Sequence, residues 1–326
     1  MGIRARESAA WALLATSASG MLAWIGLYAF AWNDYDNEAR PAVEALAHGH
    51  LGQFFNLAPV YGGSLLERAP FAVAPGMWGG GELAVYRMLA LPCLLAAIFL
   101  GLWLVRWMRR NGHTRATCAV AVVLITANPL TLLALELGHP DEMLGGVLCV
   151  AAVLLAARER SVFSGLALGA AIANKQWAVL AIAPVLLAAP GRRILILSVA
   201  GSVSAAILTP FALLGPSGIA ANVKSVATPT GAVFQPWQIW WFLGHTSHAA
   251  FGVAGSLTAG DRVPPSWIPT ISHPLIVALA LPLAIGAWRR LSRDRQASGV
   301  IQDCAPAAQR SRQGYALLLL SLLLLL

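Results

Sequence analysis

The chain has 326 residues, of which 58% are hydrophobic and only 11% charged, with a formal net charge of +8. A soluble globule carries about 25% charged residues, so most of this surface meets lipid, and a soluble enzyme or soluble binding module is excluded. The Lys and Arg residues lie in short clusters between apolar spans, a pattern that marks membrane sidedness and gives no nucleic-acid-binding surface.

The first apolar run, Ala9 to Trp32, is too long for a signal-peptide core and has no small-residue cleavage site, so it reads as a retained first helix. Further spans follow at Leu83 to Val105, Thr117 to Leu135, Met143 to Ala157, Ile194 to Leu214 and Pro274 to Trp288. Arginines flank these spans at Arg4/Arg6, Arg106 to Arg115, Arg158/Arg160, Arg192/Arg193 and Arg289 to Arg295. The positive-inside rule puts all of them, and the N-terminus, on the cytoplasmic side.

Ser161 to Pro190 is apolar over nearly its whole length yet has arginines at both ends. A single crossing would invert everything downstream. The expected solution is a re-entrant pair of short helices turning at Asn174-Lys175-Gln176-Trp177, each arm about 12 residues or about 18 Å long. Two long outer loops remain, 33–82 and 215–273. The first holds Pro41 to Gly49, with Pro near its start and Gly at its end, which predicts a short interfacial helix. The second holds Gln235-Pro236-Trp237-Gln238-Ile239-Trp240-Trp241, an aromatic density that suits the headgroup layer or a wall beside a lipid substrate. Tyr315 to Leu326 is a leucine run too short to span, so the chain reads as one transmembrane domain, 1–326, cut within a further helix. Cys93, Cys118 and Cys149 sit in apolar segments and Cys304 in a basic loop, so no disulfide framework is implied.

Charges are so few that each needs a reason for its place. Asp34, Asp36 and Glu38 follow the first span directly. On a helix Asp34 and Glu38 share a face; in an extended segment all three lie on one side. They are the candidate general base, with Asp34 ahead of Asp36; the plainer alternative is a solvated cap paired with Arg40. Glu136 and His139-Pro140-Asp141-Glu142 occupy a tight turn between two spans and project into the same layer. A His beside carboxylates can bind a sugar hydroxyl, a proton or a divalent cation. There is no second His at zincin spacing, so no metal ligand is assigned, and the competing role for Asp141 is a helix N-cap. Lys175 lies within an apolar stretch, where an ammonium needs an anion such as a phosphate, or a buried acid such as Glu136. Trp177, Trp237, Trp240 and Trp241 are candidates for stacking on sugar faces or lining a polyprenyl groove, against a simpler role as interface anchors.

These segments together, Asn33-Asp34-Tyr35-Asp36 with Ala42 to Gly49, Gly138 to Glu142, Ala173 to Trp177 and Gln235 to Trp241, resemble the GT-C glycosyltransferases. Within that group the chain looks most like the polyprenyl-phosphate-mannose-dependent alpha-1,2-mannosyltransferases of actinobacteria. The resemblance implies an all-α, polytopic helical bundle and a catalytic acid in the first outer loop, here Asp34 with Asp36 second. It further implies a polyprenyl-phosphate sugar donor in the bilayer and a glycan or glycolipid acceptor, met at the outer face of the cell membrane. No organic cofactor is expected, and a divalent cation held by Glu136 and Asp141 stays open. A transporter or flippase for lipid-linked sugars is the rival reading, since it too needs an intramembrane lysine and broken helices. It would favour a repeated pair of interrupted helices, and the sequence offers one such pair.

Overall fold

The computed structural model describes residues 2–28, 34–59, 61–189, 191–218, 241–246, 262, 263, 265, 267, 278, 280–286, 289 and 314–321. These are almost entirely helical, and five helical stretches are long and apolar enough to cross a membrane: Arg6–Tyr28, Glu82–Arg110, Arg115–Leu137, Pro140–Ala157 and Arg193–Leu214. The protein is therefore an all-α, polytopic membrane bundle. Contacts divide the chain into two compact units, the first formed by Met1–Ala152, Gly165–Ala178 and Leu197–Ile219, the second by Val153–Ser164, Val179–Ile196 and Ala220–Leu326.

In the first unit, α1 (Gly2–Tyr28) packs on α6 (Glu82–Arg110), α7 (Arg115–Thr126) and α8 (Pro129–Leu137). The stretch expected as one unbroken span from Thr117 to Leu135 is two helices. Asn128 is extended, at φ −93° and ψ 158°, and its side chain caps α8 by accepting from the Thr131 amide at 2.9 Å. Pro129 causes the break, since it disfavours helical backbone at the residue before it and supplies no amide of its own.

The loop between α1 and α6 is a helical layer. A single π turn, Tyr35–Ala39, leads into α2 (Arg40–Ala47), α3 (Leu51–Leu57), α4 (Gly62–Glu67), α5 (Ala69–Val73) and a 3₁₀ turn at Ala74–Trp78. The helix expected from Pro41 is α2. It buries Ala42, Val43, Ala45 and Leu46 and leaves Glu44 exposed, the apolar stripe of a helix lying on a core. That core joins Tyr35, Phe54, Leu65, Tyr86, Leu89 and Leu135, so the layer is packed onto the ends of α6 and α8.

Helix α9 (Pro140–Ala157) is followed by α10 (Ser161–Asn174), which stops at Lys175; a 3₁₀ segment, Gln176–Ala181, and α11 (Ile182–Ala188) complete the broken pair. Helix α12 (Arg193–Leu214) then packs beside α10, with Ser204 donating to the Gly169 carbonyl at 3.0 Å. Four residues further along both helices, Gly63 of α4 meets the Ala173 carbonyl and Leu208 together. The two helices thus run in the same direction. The chain between them must turn back after Lys175, as the expected hairpin requires. Gly63 is required there: a Cβ at that position would lie 2.1 Å from the Ala173 oxygen.

In the second unit, Leu187, Ala280 and Leu319 form a small core, and the two-residue strands β1 (His245–Thr246) and β2 (Arg262–Val263) pair antiparallel. Of the span expected at Pro274 to Trp288, residues 278 and 280–286 are described and helical, as are 314–321 of the terminal leucine run. Trp237 and Trp240 lie outside the described residues.

Candidate functional site

Pro140 opens α9, and Asp141 and Glu142 fall in its first turn. The helix C-cap before it, Gly138, has φ +96°, and a Cβ there would lie 2.6 Å from the Tyr35 amide nitrogen. Only glycine meets both conditions. That close approach brings the π turn against the start of α9, and so brings Asp34 to His139.

Asp34 Oδ2 lies 3.2 Å from His139 Nε2. The Asp34 side chain is 43% exposed, and His139 is half-buried behind it. On its other side, His139 Nδ1 is 4.0 Å from Asp141 Oδ1, and the imidazole meets the ring of Tyr61 edge-on at 5.3 Å. Burial works against protonation of His139, but the hydrogen bond it donates to Asp34 and the negative charge of Asp141 outweigh burial and the opposing Lys175, so its pKa is raised. Tyr61 donates to Glu38 Oε2 at 2.8 Å, and burial with the nearby carboxylates raises its pKa as well, keeping it a neutral donor. Asp34 and Glu38 therefore both lie beside the Tyr61–His139 pair, the shared face that a helical acidic knot provides.

Asp36 faces a different cluster. Arg40 binds Glu82 at 2.7 Å and Glu44 at 2.8 Å, with Asp36 3.9 Å away. This network ties α2 to the start of α6, and it holds Asp36 on the Arg40 side.

Behind His139 sits a buried ionic hub. Asp141, 1% exposed, receives Lys175 at 2.8 Å and Arg68 at 3.5 Å, and its carbonyl accepts from Asn174 Nδ2 at 2.8 Å. The predicted N-cap role for Asp141 is replaced by this double ion pair. Lys175 also binds Glu142 at 3.0 Å and lies 3.9 Å over the Tyr61 ring. Its expected buried partner, Glu136, is exposed on α8 and takes no part in these pairs. Trp177, half-buried, donates to Glu142 Oε2 at 2.8 Å, so it orients that carboxylate from the α10–α11 turn.

Sequence reasoning missed Arg68 and Tyr61. Arg68 is buried in the first loop, where it donates to Ser64 Oγ at 2.7 Å, to the Ser64 carbonyl and to the Leu89 carbonyl as well as reaching Asp141. The only available signal was an arginine in the short stretch Leu65-Leu66-Glu67-Arg68-Ala69-Pro70, with nothing in the local spacing to name a partner 73 residues away. Between Tyr35, Tyr61, Arg68, Tyr86 and Asp141 the interior holds a void of about 10 Å³, room for one water at most. That void is too small for a sugar, whereas the Asp34 and Glu142 side chains are 43% and 41% exposed. Trp241 lies in the second unit, where Arg262 stands 5.4 Å over its ring.

Among the described residues no group of three or more His, Cys, Asp and Glu side chains is arranged to hold a metal ion. The arrangement instead offers one accessible carboxylate steadied by an imidazole, over a charge-balanced foundation. A carboxylate so placed has the chemistry to accept a proton from a hydroxyl.

The model of glycosyltransferase family 87 matches residues 62–303, about three quarters of the chain. The matched stretch includes the hub and the hairpin and begins after the acidic knot. No curated protein and no solved structure matches.

Proposed function

This chain belongs to glycosyltransferase family 87, and on that premise we propose that it moves a sugar, with mannose the leading candidate, from a polyprenyl-phosphate donor to a lipid or glycan acceptor. The observation that carries the reading is the Asp34–His139 pair. One carboxylate oxygen, Oδ2, is held by the imidazole, while the side chain stays accessible enough to offer Oδ1 to an acceptor hydroxyl. Asp34 takes the hydroxyl proton, the alkoxide oxygen attacks the anomeric carbon, and the bond to the polyprenyl phosphate breaks with inversion. His139 keeps the carboxylate aimed.

In this reading Lys175 does not meet the phosphate. Bound by Asp141 and Glu142, it neutralises buried acids and fixes the start of α9, so it acts as a positioning residue for His139. Glu142, 41% exposed and oriented by Trp177, is the second acceptor-facing carboxylate. The arginine clusters support a cytoplasmic N-terminus, which puts the site at the outer face of the cell membrane. There a donor dissolved in the bilayer meets a polar acceptor.

A test is transfer of label from radiolabelled polyprenyl-phosphate mannose in membranes bearing the wild-type chain, with polyprenyl-phosphate glucose as the competing donor. Label should pass to a lipid or glycan acceptor with mannose preferred. Movement of intact donor across the membrane without release of polyprenyl phosphate would instead establish the flippase reading.

A further inference from the structure

At the end of α1 away from Asp34, a cleft of about 430 Å³ opens between α1 and α7, lined by Arg6, Glu7, Ala10, Trp11, Leu14 and Arg115. It lies about 30 Å along α1 from the proposed active site, a distance equal to the hydrocarbon thickness of a bilayer. The two features therefore sit at opposite lipid–water interfaces. We propose that this cleft binds the phosphate headgroup of an anionic phospholipid.

Charge and shape both support that occupant. Glu7 Oε1 forms ion pairs with two arginines, lying 3.3 Å from the Nε of Arg109 and 3.7 Å from the Nε of Arg115. One carboxylate thus faces two guanidiniums, and Arg6 adds a third positive charge at the cleft wall. The Arg115 side chain is 72% exposed and meets Glu7 only at 3.7 Å, so its guanidinium is open to an anion from solvent. The planar fork of a guanidinium matches a phosphate. Below the charges, Trp11 and Leu14 are half-buried and pack on the core of Ala15, Val105, Cys118 and Val122. An acyl chain leaving the headgroup would follow this apolar wall, and an indole at headgroup depth suits the same boundary. A free phosphate would use the arginines alone and leave the wall unfilled.

The test is native mass spectrometry of the full chain in neutral detergent, titrated with phosphatidylglycerol and, separately, phosphatidylcholine. Phosphatidylglycerol should be retained preferentially. The pair Arg6→Gln/Arg115→Gln should weaken its retention about tenfold or more, each arginine near an anionic lipid surface contributing about 1 kcal/mol, or about fivefold. Removal of the same charge outside the cleft, in Arg160→Gln/Arg192→Gln, should leave retention unchanged. Equal retention of both lipids, equal losses in the two paired variants, or displacement of phosphatidylglycerol by millimolar inorganic phosphate would overturn the assignment. Because the readout is bound lipid, its failure is separable from any failure of glycosyl transfer.

Discussion

Replacing Lys175 with Met tests whether the hub is the foundation of the site. The substitution keeps an unbranched chain of similar volume and removes one charge. It leaves Asp141, 1% exposed, with Arg68 at 3.5 Å and, when protonated, His139 at 4.0 Å as its ionic partners. Removing one member of a buried pair costs about 3–5 kcal/mol, and the surviving arginine puts this case at about 3 kcal/mol. Glu142 is 41% exposed and its pair with Lys175 is screened, so that contact adds about 0–1 kcal/mol. Loss of the ammonium over Tyr61 adds about 1 kcal/mol. Together these come to about 4–5 kcal/mol, and at about 2 °C per kcal/mol the apparent midpoint of thermal unfolding in detergent should fall by about 8–10 °C. Adding Asp141→Asn removes the stranded carboxylate, so the double variant should be about 2 kcal/mol less destabilised than the two single losses summed. A Lys175→Met protein that melts within about 1 °C of wild type, with strictly additive single and double variants, would refute the argument that these groups share one buried network.

Two further outcomes follow from the same geometry. Gly138→Ala puts a side chain at φ +96° and against the Tyr35 amide, so it should separate the π turn from α9 and lower both the melting temperature and transfer, whereas Gly146→Ala, where an added Cβ meets nothing within 4 Å, should leave both near wild type. Glu67, in the first loop, has its pKa pushed up by burial to about 8 despite the neighbouring Arg68. Its unfolded value is near 4.5, so the unfolded chain ionises first and the folded state pays a penalty that grows between pH 4.5 and 8, then levels off. Glu67→Gln should therefore be increasingly more stable than wild type across that window in melting experiments, and a stability difference independent of pH would contradict the buried, neutral carboxyl.

What could be read in the sequence followed the strength of the local signal. A polar Asn-Lys-Gln interruption between two apolar arms, with arginines outside both, is enough to specify the turn at Lys175, and the Pro near the start of α2 marks that helix as clearly. The break at Asn128-Pro129 carried the same kind of signal inside a run whose hydropathy is continuous, and hydropathy alone does not register it. Partner choice was not legible. Arg68 and Asp141 meet only because the first loop folds back over the start of α9, and nothing near either residue encodes that return. Asp34 and Asp36 are two residues apart, yet the π turn sends one to His139 and the other to Arg40. That separation depends on backbone geometry that spacing leaves open. Lys175 illustrates the limit from the other direction: the need for an anion was readable from its apolar setting, while the identity of that anion was a tertiary fact.

The account's central claim is that Asp34, and not Asp36, takes the acceptor proton, and the most direct test compares Asp34→Asn with Asp36→Asn in transfer from a polyprenyl-phosphate sugar. Loss of a general base costs about 10²–10⁴-fold, so Asp34→Asn should reduce transfer by at least about a hundredfold. Asp36→Asn leaves Arg40 bound to Glu44 and Glu82 and should stay within a few-fold of wild type. Transfer that survives Asp34→Asn, or that is abolished instead by Asp36→Asn in a protein that still melts normally, would contradict the account.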